Sequence, residues 1–188
     1  MTWQIDLAHS NVTLAVKHMM VTTVRGTLAI ADGTLDIDEE HPERSTVEVR
    51  LDAASINTGL EARDAHLRSA DFLDAQTFPY LTFRSTAIEK HRDDHRLHGE
   101  LTIRDVTRPV TLDLEFGGVV PNLQGGRRAA FNATTKINRE DFGLTWNVAL
   151  EQGGWLVGKE IKVEIDIAAL DQVEQVGQVE QEAAESAA

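Results

Sequence analysis

Hydrophobic and polar residues alternate along much of the chain. In one run, Val12, Leu14 and Val16 alternate with the residues between them. Successive side chains of a β-strand point to opposite faces, so this period of two predicts strands with one buried and one hydrated face. Half-buried strands of this kind are typical of antiparallel sheets. Further alternating runs lie at residues 47–51, 97–103, 110–116 and 157–167.

The runs and the turn residues between them predict about eight strands. They are expected near residues 11–21, 25–38, 45–53, 80–89, 95–105, 109–118, 128–138 and 156–168, with a shorter strand at residues 144–150. The Gly and Pro positions predict a hairpin turn or a β-bulge at Asp32-Gly33, a hairpin at residues 105–108 before Pro109, and a loop bracketed by Gly117-Gly118 and Gly125-Gly126.

Two segments depart from this period. Residues 59–75 lack the alternation and are rich in helix-forming residues, so we predict a short helical insertion there. Its Leu67 and Phe72 are expected to face inward and to cover one end of the domain. Residues 171–188 hold five acidic residues and no basic one, which is typical of a disordered tail or a frayed helix. A helix that packs its valines on a partner is the alternative.

Eight antiparallel strands in one small domain close into a barrel or stack as a sandwich. A long run of strands within residues 1–170, with a single helical insertion, favours an all-β fold built on an eight-stranded antiparallel barrel. A barrel of this size is wide enough either to be filled by its own side chains or to hold one small ligand. The period of two does not distinguish these two interiors.

The composition narrows the classes of partner. Lys and Arg number 18 and Asp and Glu number 31 among 188 residues, which gives a formal net charge of −13. Because phosphate binding draws on clustered basic residues, this balance argues against nucleic acid and against an anionic membrane surface. The chain has no cysteine, so disulfides and thiolate chemistry are excluded.

The first residues, MTWQIDLAHSN, have neither a basic segment nor an apolar run. No stretch approaches the ~20 apolar residues of a membrane-spanning helix. We therefore expect a cytoplasmic protein without stable membrane insertion, and a periplasmic one only if the start site is misassigned.

A group of polar residues in the helical insertion could be read as a catalytic or metal site. Arg63, Asp64 and His66 look like a catalytic or metal cluster, but only Arg63 and His66 share a helix face. We predict Arg–Asp pairing and capping of the neighbouring backbone instead, because no second ligand motif accompanies His66. Arg139 precedes a tight turn at Gly143 and is expected to bond carbonyls or carboxylates.

His91, His95 and His98 surround a charged turn and are expected to be exposed, with chance metal binding as the alternative. The sequence contains no serine elbow, P-loop or dinucleotide fingerprint. We predict no catalytic residue, no metal ligand and no cofactor.

Short motifs spread over residues 2–168 give a more specific signal. They are Trp3-Gln4-Ile5-Asp6 with His9-Ser10, Val16-Lys17-His18 with Gly26, Ser55 to Gly59, Arg63 to Ser69 with Asp71-Phe72, Phe78-Pro79 to Ser85, Gly99 to Ile103, and Ile137 to Leu144. In order and spacing they resemble the YceI-like family of bacterial lipid-binding proteins. Two positions depart from the family pattern: Arg104-Asp105 replaces the usual His-Gly, and Ala15 stands where an aromatic residue is common.

The resemblance implies an extended, lipocalin-like barrel with a long apolar chain in its lumen, such as a polyisoprenoid or an isoprenoid quinone. It also implies a homodimer. The departure at Ala15 is expected to widen or reshape one end of the cavity, and the departure at Arg104-Asp105 affects the local turn.

The alternation and the helical insertion together give the residues expected to bind the ligand. They are Val12, Leu14, Val16, His18, Met20, Leu67, Phe72, Leu81, Phe83, Leu101, Ile103 and Phe131. We predict a non-enzymatic protein that binds, sequesters or transports a long-chain isoprenoid or a similar amphipathic or fatty lipid. The alternatives are an enzyme that uses His18 on a hydrophobic substrate in the same cavity, and a stress-related structural dimer with a filled barrel.

Overall fold

The computed structural model describes residues 2–123 and 125–171. Within these residues the chain forms ten strands and one α-helix, joined by turns and short 3-10 helices. The elements are β1 (Thr2–Ile5), β2 (Asn11–His18), β3 (Thr22–Leu28), β4 (Ile30–Asp36), β5 (Thr46–Asp52), α1 (Glu61–Arg68), β6 (Tyr80–His91), β7 (Asp94–Ile103), β8 (Val106–Pro121), β9 (Arg127–Asn138) and β10 (Val157–Asp171).

The strands form one closed antiparallel sheet. Their order is β1-β4-β5-β6-β7-β8-β9-β10-β2-β3, and β1 also pairs with β10. β1 and β2 follow one another along β10, with Trp3 opposite Asp171 and Val12 opposite Ile165. In the same way β4 pairs with β1 and β3 pairs with β2. β1 and β2 together therefore act as one interrupted strand, and so do β3 and β4. The ten strands thus fill eight places in the ring, and the predicted eight-stranded antiparallel barrel is confirmed.

The Asp32-Gly33 signal marks a bulge and not a hairpin turn. The register of β4 against β5 shifts between Ile30 and Asp32, and both residues of the pair lie inside the strand. A Cβ atom at Gly33 would lie 2.6 Å from Cδ1 of Ile5. Glycine is required there because it leaves room for the neighbouring strand to approach closely.

Gly117-Gly118 likewise does not end its strand, which corrects the predicted loop boundary. β8 continues to Pro121, and its register against β9 shifts between Phe116 and Gly118. Gly118 has a φ of 100°, a conformation that glycine adopts without steric cost. The connection between β8 and β9 is therefore confined to residues 122–126.

The predicted hairpin near Pro109 is present but shorter than expected. Ile103 pairs with Val106, so only Arg104 and Asp105 form the turn, and Pro109 lies within β8 opposite Glu100. The short strand expected at residues 144–150 is not formed. The segment contributes a single isolated bridge, between Ala149 and Trp155.

The helical insertion is confirmed by α1 and the turns that follow it. Leu67 of α1 packs against a hydrophobic cluster that closes one end of the barrel, hereafter the α1 end. The buried members of this cluster are Leu28, Ala53, Ile56, Leu81, Ile103, Phe142 and Leu144. A second cluster, of Trp3, Leu35, Ala129 and Ala169, lies at the other end. A third cluster, of Ile88, Leu97, Leu112 and Ala133, lies in the wall formed by β6 to β9.

The strands of the barrel run from Thr2 to Asp171. The predicted acidic tail at residues 171–188 lies outside the described residues, except for Asp171 itself. Asp171 ends β10 and closes the barrel. Its side chain is only 9% exposed and accepts hydrogen bonds from the backbone N–H of Arg127 at 2.5 Å and from Nε of Arg127 at 2.8 Å.

We predict that Asp171→Asn lowers the free energy of unfolding at pH 7 by about 1–2 kcal/mol. The backbone hydrogen bond from Arg127, followed by the bond and charge of its guanidinium, lowers the pKa of Asp171. A carboxylate with a lowered pKa in the folded state stabilises the protein above its unfolded pKa and loses that contribution as pH falls through the folded pKa. The variant should therefore lose less stability than wild type between pH 7 and pH 3, measured by urea unfolding.

Asp113→Asn is the matched control, because the side chain of Asp113 is 77% exposed and lies 3.8 Å from Arg96. A loss of stability as large as that of Asp171→Asn would contradict the closing role of Asp171.

Candidate functional site

A cavity of about 890 Å³ occupies the interior of the barrel. Strands β2 to β10 contribute to its wall, and α1 contributes from one end. The side chains of the wall are mainly aliphatic and aromatic. The volume lies in the upper part of the ~300–1,000 Å³ range of small-molecule sites. The barrel is therefore hollow and not filled by its own side chains.

Eleven of the twelve residues predicted to bind the ligand line this cavity. They are Val12, Leu14, Val16, His18, Leu67, Phe72, Leu81, Phe83, Leu101, Ile103 and Phe131. On the strands, they lie in the wall because alternation continues unbroken through the part of each strand that carries them.

Met20 is the exception, and its predicted inward position is wrong. β2 ends at His18, and Met19 and Met20 have φ values of 51° and 65°. This left-handed turn interrupts the alternation, so Met20 is 64% exposed and lies against Gly154 instead of the cavity.

A bulge in β6 changes which residues face inward. Phe83 lines the cavity as predicted, but the register against β7 shifts between Ser85 and Ala87. Ala87, which an unbroken alternation would place on the same face as Phe83, is therefore exposed, and Ile88 faces the cavity instead. A one-residue insertion moves the side chains that follow it to the opposite face of the strand. The sequence pattern around Ser85 does not predict this bulge.

Phe83 also depends on a glycine in the neighbouring strand. A Cβ atom at Gly99 would lie 2.4 Å from the ring of Phe83. Glycine at this position leaves the space that the phenyl ring occupies in the cavity wall.

Other wall residues follow the same alternation but were not among the predicted ligand-binding residues. They include Val47, Val49 and Leu51 of β5, Leu97 of β7, Val110, Leu112, Leu114 and Phe116 of β8, and Ile161, Val163, Ile165 and Ile167 of β10. Their period of two was visible in the sequence, and the closed sheet places one face of each strand towards the lumen.

An aromatic group stands at the α1 end of the cavity. The imidazole of His66 lies 4.6 Å from the ring of Trp146 and 5.1 Å from the ring of Phe72, in edge-to-face contacts. His66 also bonds Oδ2 of Asp71 at 2.8 Å. Trp146 could not be found by periodicity, because it lies in the irregular segment between β9 and β10.

Arg63 and Asp64 hold the segment before α1 through a shared threonine. Oδ1 of Asp64 accepts bonds from the backbone N–H and the hydroxyl of Thr58. Arg63 donates from Nε to the hydroxyl of Thr58 at 2.6 Å and from Nη2 to its carbonyl at 2.9 Å. The predicted capping of neighbouring backbone is confirmed, whereas the predicted Arg–Asp pairing is only indirect, because the two side chains share the hydroxyl of Thr58. Arg63 lines the cavity, whereas Asp64 is buried outside its wall.

Arg139 is a buried cation that braces the same end of the barrel. It is 2% exposed and donates to the carbonyls of Leu144, Gly158 and Val157, the last two at 2.9 and 3.4 Å. Burial lowers the pKa of its guanidinium below the usual value. Of the two predicted kinds of acceptor, the carbonyls are the ones that the structure shows.

The three histidines near the β6–β7 turn, which were expected to be exposed, are each half-buried. His95 lines the cavity, whereas Nδ1 of His98 bonds the hydroxyl of Thr111 at 2.9 Å. Within residues 2–123 and 125–171, no group of three His, Asp or Glu side chains is arranged to hold a metal ion. In the same part of the chain, no helix is long and apolar enough to cross a bilayer.

Comparison with known proteins places this barrel in a family. The family model of the YceI-like domain matches residues 3–169. The chain belongs to the YceI-like family. It is 39% identical over 137 residues to the YceI protein of Salmonella newport strain SL254, which is 73% of this chain and 72% of that protein. The identity to the YceI protein of Escherichia coli strain UMN026 is also 39%, over 136 residues.

Solved structures share the YceI-like fold. BcnA of Burkholderia cenocepacia superposes with a TM-score of 0.72 at 24% identity, over 87% of this chain and 98% of that one. A YceI protein of Campylobacter jejuni gives 0.65 at 29% identity, over 83% and 90%. A polyisoprenoid-binding domain of Saccharophagus degradans gives 0.64 at 12% identity, over 90% and 98%.

The two departures from the YceI-like pattern lie at the cavity wall and at a turn. Ala15 contributes to the cavity lining, but it lies between Leu14 and Val16 and opposite Arg25 and Lys162, so the alternation directs its side chain to the outer face and does not support the expected widening of the cavity. Arg104 takes a φ of 59° in the two-residue β7–β8 turn, and its guanidinium lies 5.9 Å from the centre of the Phe78 ring.

We predict that Arg139→Met lowers the free energy of unfolding of this YceI-like barrel by at least about 3 kcal/mol, because three carbonyls lose their donor. Chemical denaturation at neutral pH measures the change. Arg108→Met is the control, since Arg108 donates to two carbonyls from an exposed position, and about 0.5 kcal/mol or less is expected for it. Equal losses in the two variants would show that Arg139 does not brace the barrel.

Proposed function

We propose that this protein binds a long-chain isoprenoid, or an amphipathic lipid of similar length, inside the barrel. The observation that carries the proposal is the cavity of about 890 Å³ with its mainly aliphatic wall. A cavity of this kind offers few partners to a small polar metabolite. It offers apolar contact along its length to a flexible hydrocarbon chain.

The energetics favour a long chain. Burial of a methylene group contributes ~0.8 kcal/mol, so about ten buried carbons contribute on the order of 8 kcal/mol. This is comparable with the ~4–15 kcal/mol that immobilisation of a ligand costs. Affinity should therefore rise with chain length and depend less on the head group.

The relatives support the same class of ligand. The Saccharophagus degradans domain, which shares the fold at 12% identity, is a polyisoprenoid-binding domain. Its likeness to this chain concerns the fold alone. The support for a lipid comes from the combination of that fold with the hollow, aliphatic lumen of this barrel.

We propose a role in sequestration or transport of the lipid and not in its conversion. An enzyme in the same cavity would use His18, which lines the wall. A general base needs a positioned partner, and among the described residues no side-chain hydrogen bond orients the imidazole of His18. A cytoplasmic location and a homodimeric state complete the proposal, and both stay predictions from the sequence and the family resemblance.

Native mass spectrometry and organic extraction of the gently purified protein test the proposal. We expect one molecule of a long-chain lipid per barrel. The intact mass of the native complex also reports whether the protein is a dimer. Absence of any lipid, with no uptake of added prenol, would contradict the proposal and favour a structural role.

We predict that Val16→Trp and Leu101→Trp each reduce the bound lipid several-fold without unfolding the barrel, because both side chains line the cavity and an indole takes up part of its volume. The controls are Lys17→Trp and Glu100→Trp, which place the same indole on the exposed face of the same strands. Lipid per barrel after extraction is the measurement, and thermal unfolding verifies the fold. Equal occupancy in wall and control variants would contradict binding in the lumen.

The variant His18→Ala distinguishes the enzymatic alternative from lipid binding alone. If the protein converts a hydrophobic substrate with His18, turnover of candidate lipids disappears in this variant while the fold persists. If it only binds lipid, wild type shows no turnover.

A further inference from the structure

Three loop segments at the α1 end expose large apolar side chains to solvent. They are the turn after β2, the loop before α1 and the segment between β9 and β10. The side chains are between 46% and 77% exposed, although each is hydrophobic. We call the following six residues the apolar rim: Met19, Met20, Val21, Leu60, Val148 and Trp155.

The turn after β2 and the segment before β10 hold each other in place. The backbone N–H of Met19 donates to the carbonyl of Leu156 at 2.8 Å, and Sδ of Met20 occupies the space that a Cβ atom at Gly154 would take. Leu156 in turn donates its N–H to the carbonyl of Val148 at 2.9 Å. The exposed side chains of these two segments therefore belong to one surface.

The loop before α1 brings Leu60 to the same surface. Asn57 pairs with Thr27 of β3 in an antiparallel bridge. An antiparallel bridge directs the residues after Asn57 towards the start of β3, which follows directly on Val21. Leu60 therefore extends the rim along β3.

The lumen reaches the surface within the apolar rim. Leu60 is 54% exposed and also lines the cavity. His18 and Leu156, which adjoin rim residues in the chain, line the cavity as well. The opening at Leu60 lies between the start of β3 and α1, beside the hydrophobic cluster of this end. The rim is thus continuous with the aliphatic wall.

The segments that form the apolar rim carry almost no charge. They are residues 18–24, 56–60 and 142–156. Together they contain a single Asp, Glu, Lys or Arg, which is Glu151, whereas 26% of the whole chain is charged. Of the two arginines that line this end, Arg63 is taken up by Thr58 and Arg139 by backbone carbonyls.

The opposite end of the lumen is acidic. Asp38 and Glu39 line the cavity there, and residues 36–44 hold five acidic residues and one arginine. Residues 172–188, which follow β10 at this end, add four acidic residues and no basic one. Charged groups lose hydration when they approach hydrocarbon. Only the α1 end is therefore suited to contact with an apolar phase.

We propose that the apolar rim docks on the surface of an electrically neutral lipid bilayer, with the lumen open towards the acyl chains. Tryptophan is enriched at the interface of a bilayer, and apolar side chains on a surface segment bind by entering it. The six rim side chains are few for a stable protein–protein interface, which uses about 20–30 residues on each side. The passage of lipid through the rim rests on the proposed function, whereas the docking itself does not.

Flotation of the delipidated full-length protein with vesicles of phosphatidylcholine tests the docking. We expect the protein to float with these vesicles, and to float less with vesicles that also contain phosphatidylglycerol, because a net charge of −13 opposes contact with anionic lipid. Met20→Gln and Trp155→Gln are each expected to lower the partition into phosphatidylcholine vesicles about tenfold, since each removes an apolar side chain from the contact.

Val21→Gln and Val120→Gln form a matched pair. Val21 belongs to the rim, whereas Val120 lies on β8 at the opposite end of the barrel and is also more than half exposed. Only Val21→Gln should reduce flotation. Val16→Trp, which fills part of the lumen, should float like wild type because its rim is unchanged. Thermal unfolding verifies the fold of each variant, and uptake of added geranylgeraniol reports on its lumen.

Absence of flotation, or equal losses in Val21→Gln and Val120→Gln, would overturn the docking and leave lipid binding in the lumen intact. Light scattering tests a second copy of the chain as the occupant of the rim. A dimer that Met20→Gln converts to a monomer would show that the second copy covers the rim and would overturn the bilayer. Flotation of a protein that takes up no geranylgeraniol would overturn the proposed function and leave the docking in place.

Discussion

Closure of the sheet by β1 is the constraint on which the rest of the structure depends. The short strand pairs with β4 on one side and with the last residues of β10 on the other. Once these pairs form, the sheet has a continuous ring of hydrogen bonds at that end, and each strand of the ring has one face towards a common interior. The alternation of the sequence thereby becomes an inside and an outside. Asp171, through its bonds to Arg127, connects the end of β10 to the start of β9 at the same place.

The interior stays hollow because the strands are held apart at both ends. At the α1 end, Arg139 ties the segment after β9 to the start of β10, and Thr58 ties α1 to the loop before it. At the other end, Trp3 is fully buried among Leu35, Ala129 and Ala169. The two packed ends enclose a lumen whose wall lacks the bulk to fill it. The match to the YceI-like family spans residues 3–169, and the same barrel encloses the cavity of about 890 Å³.

Bulges and glycines adjust the wall locally. The shift in β6 exchanges Ala87 for Ile88 on the inner face, and Gly99 makes room for the ring of Phe83. Gly33 allows Ile5 to approach β4. Each bulge or glycine bends a strand or makes room for one side chain. Together they let long strands follow a curved surface without opening the closed sheet.

The sequence by itself determined the strands, the helical insertion and most of the wall, because a period of two survives wherever a strand is regular and one of its faces is buried. It also indicated the family, through motifs such as those around Arg63 and Arg139. Only the tertiary structure decided that the barrel is hollow, since the same alternation serves a packed core equally well. The tertiary structure also decided that Met20 and Ala87 point outward and that Trp146 lines the cavity. A turn, a bulge and an irregular loop change the direction of a side chain without changing the composition around it. The placement of Met20, Leu60 and Trp155 on one rim, away from Asp38 and Glu39, was likewise settled by the fold, because residues distant in the chain become neighbours only when the sheet closes.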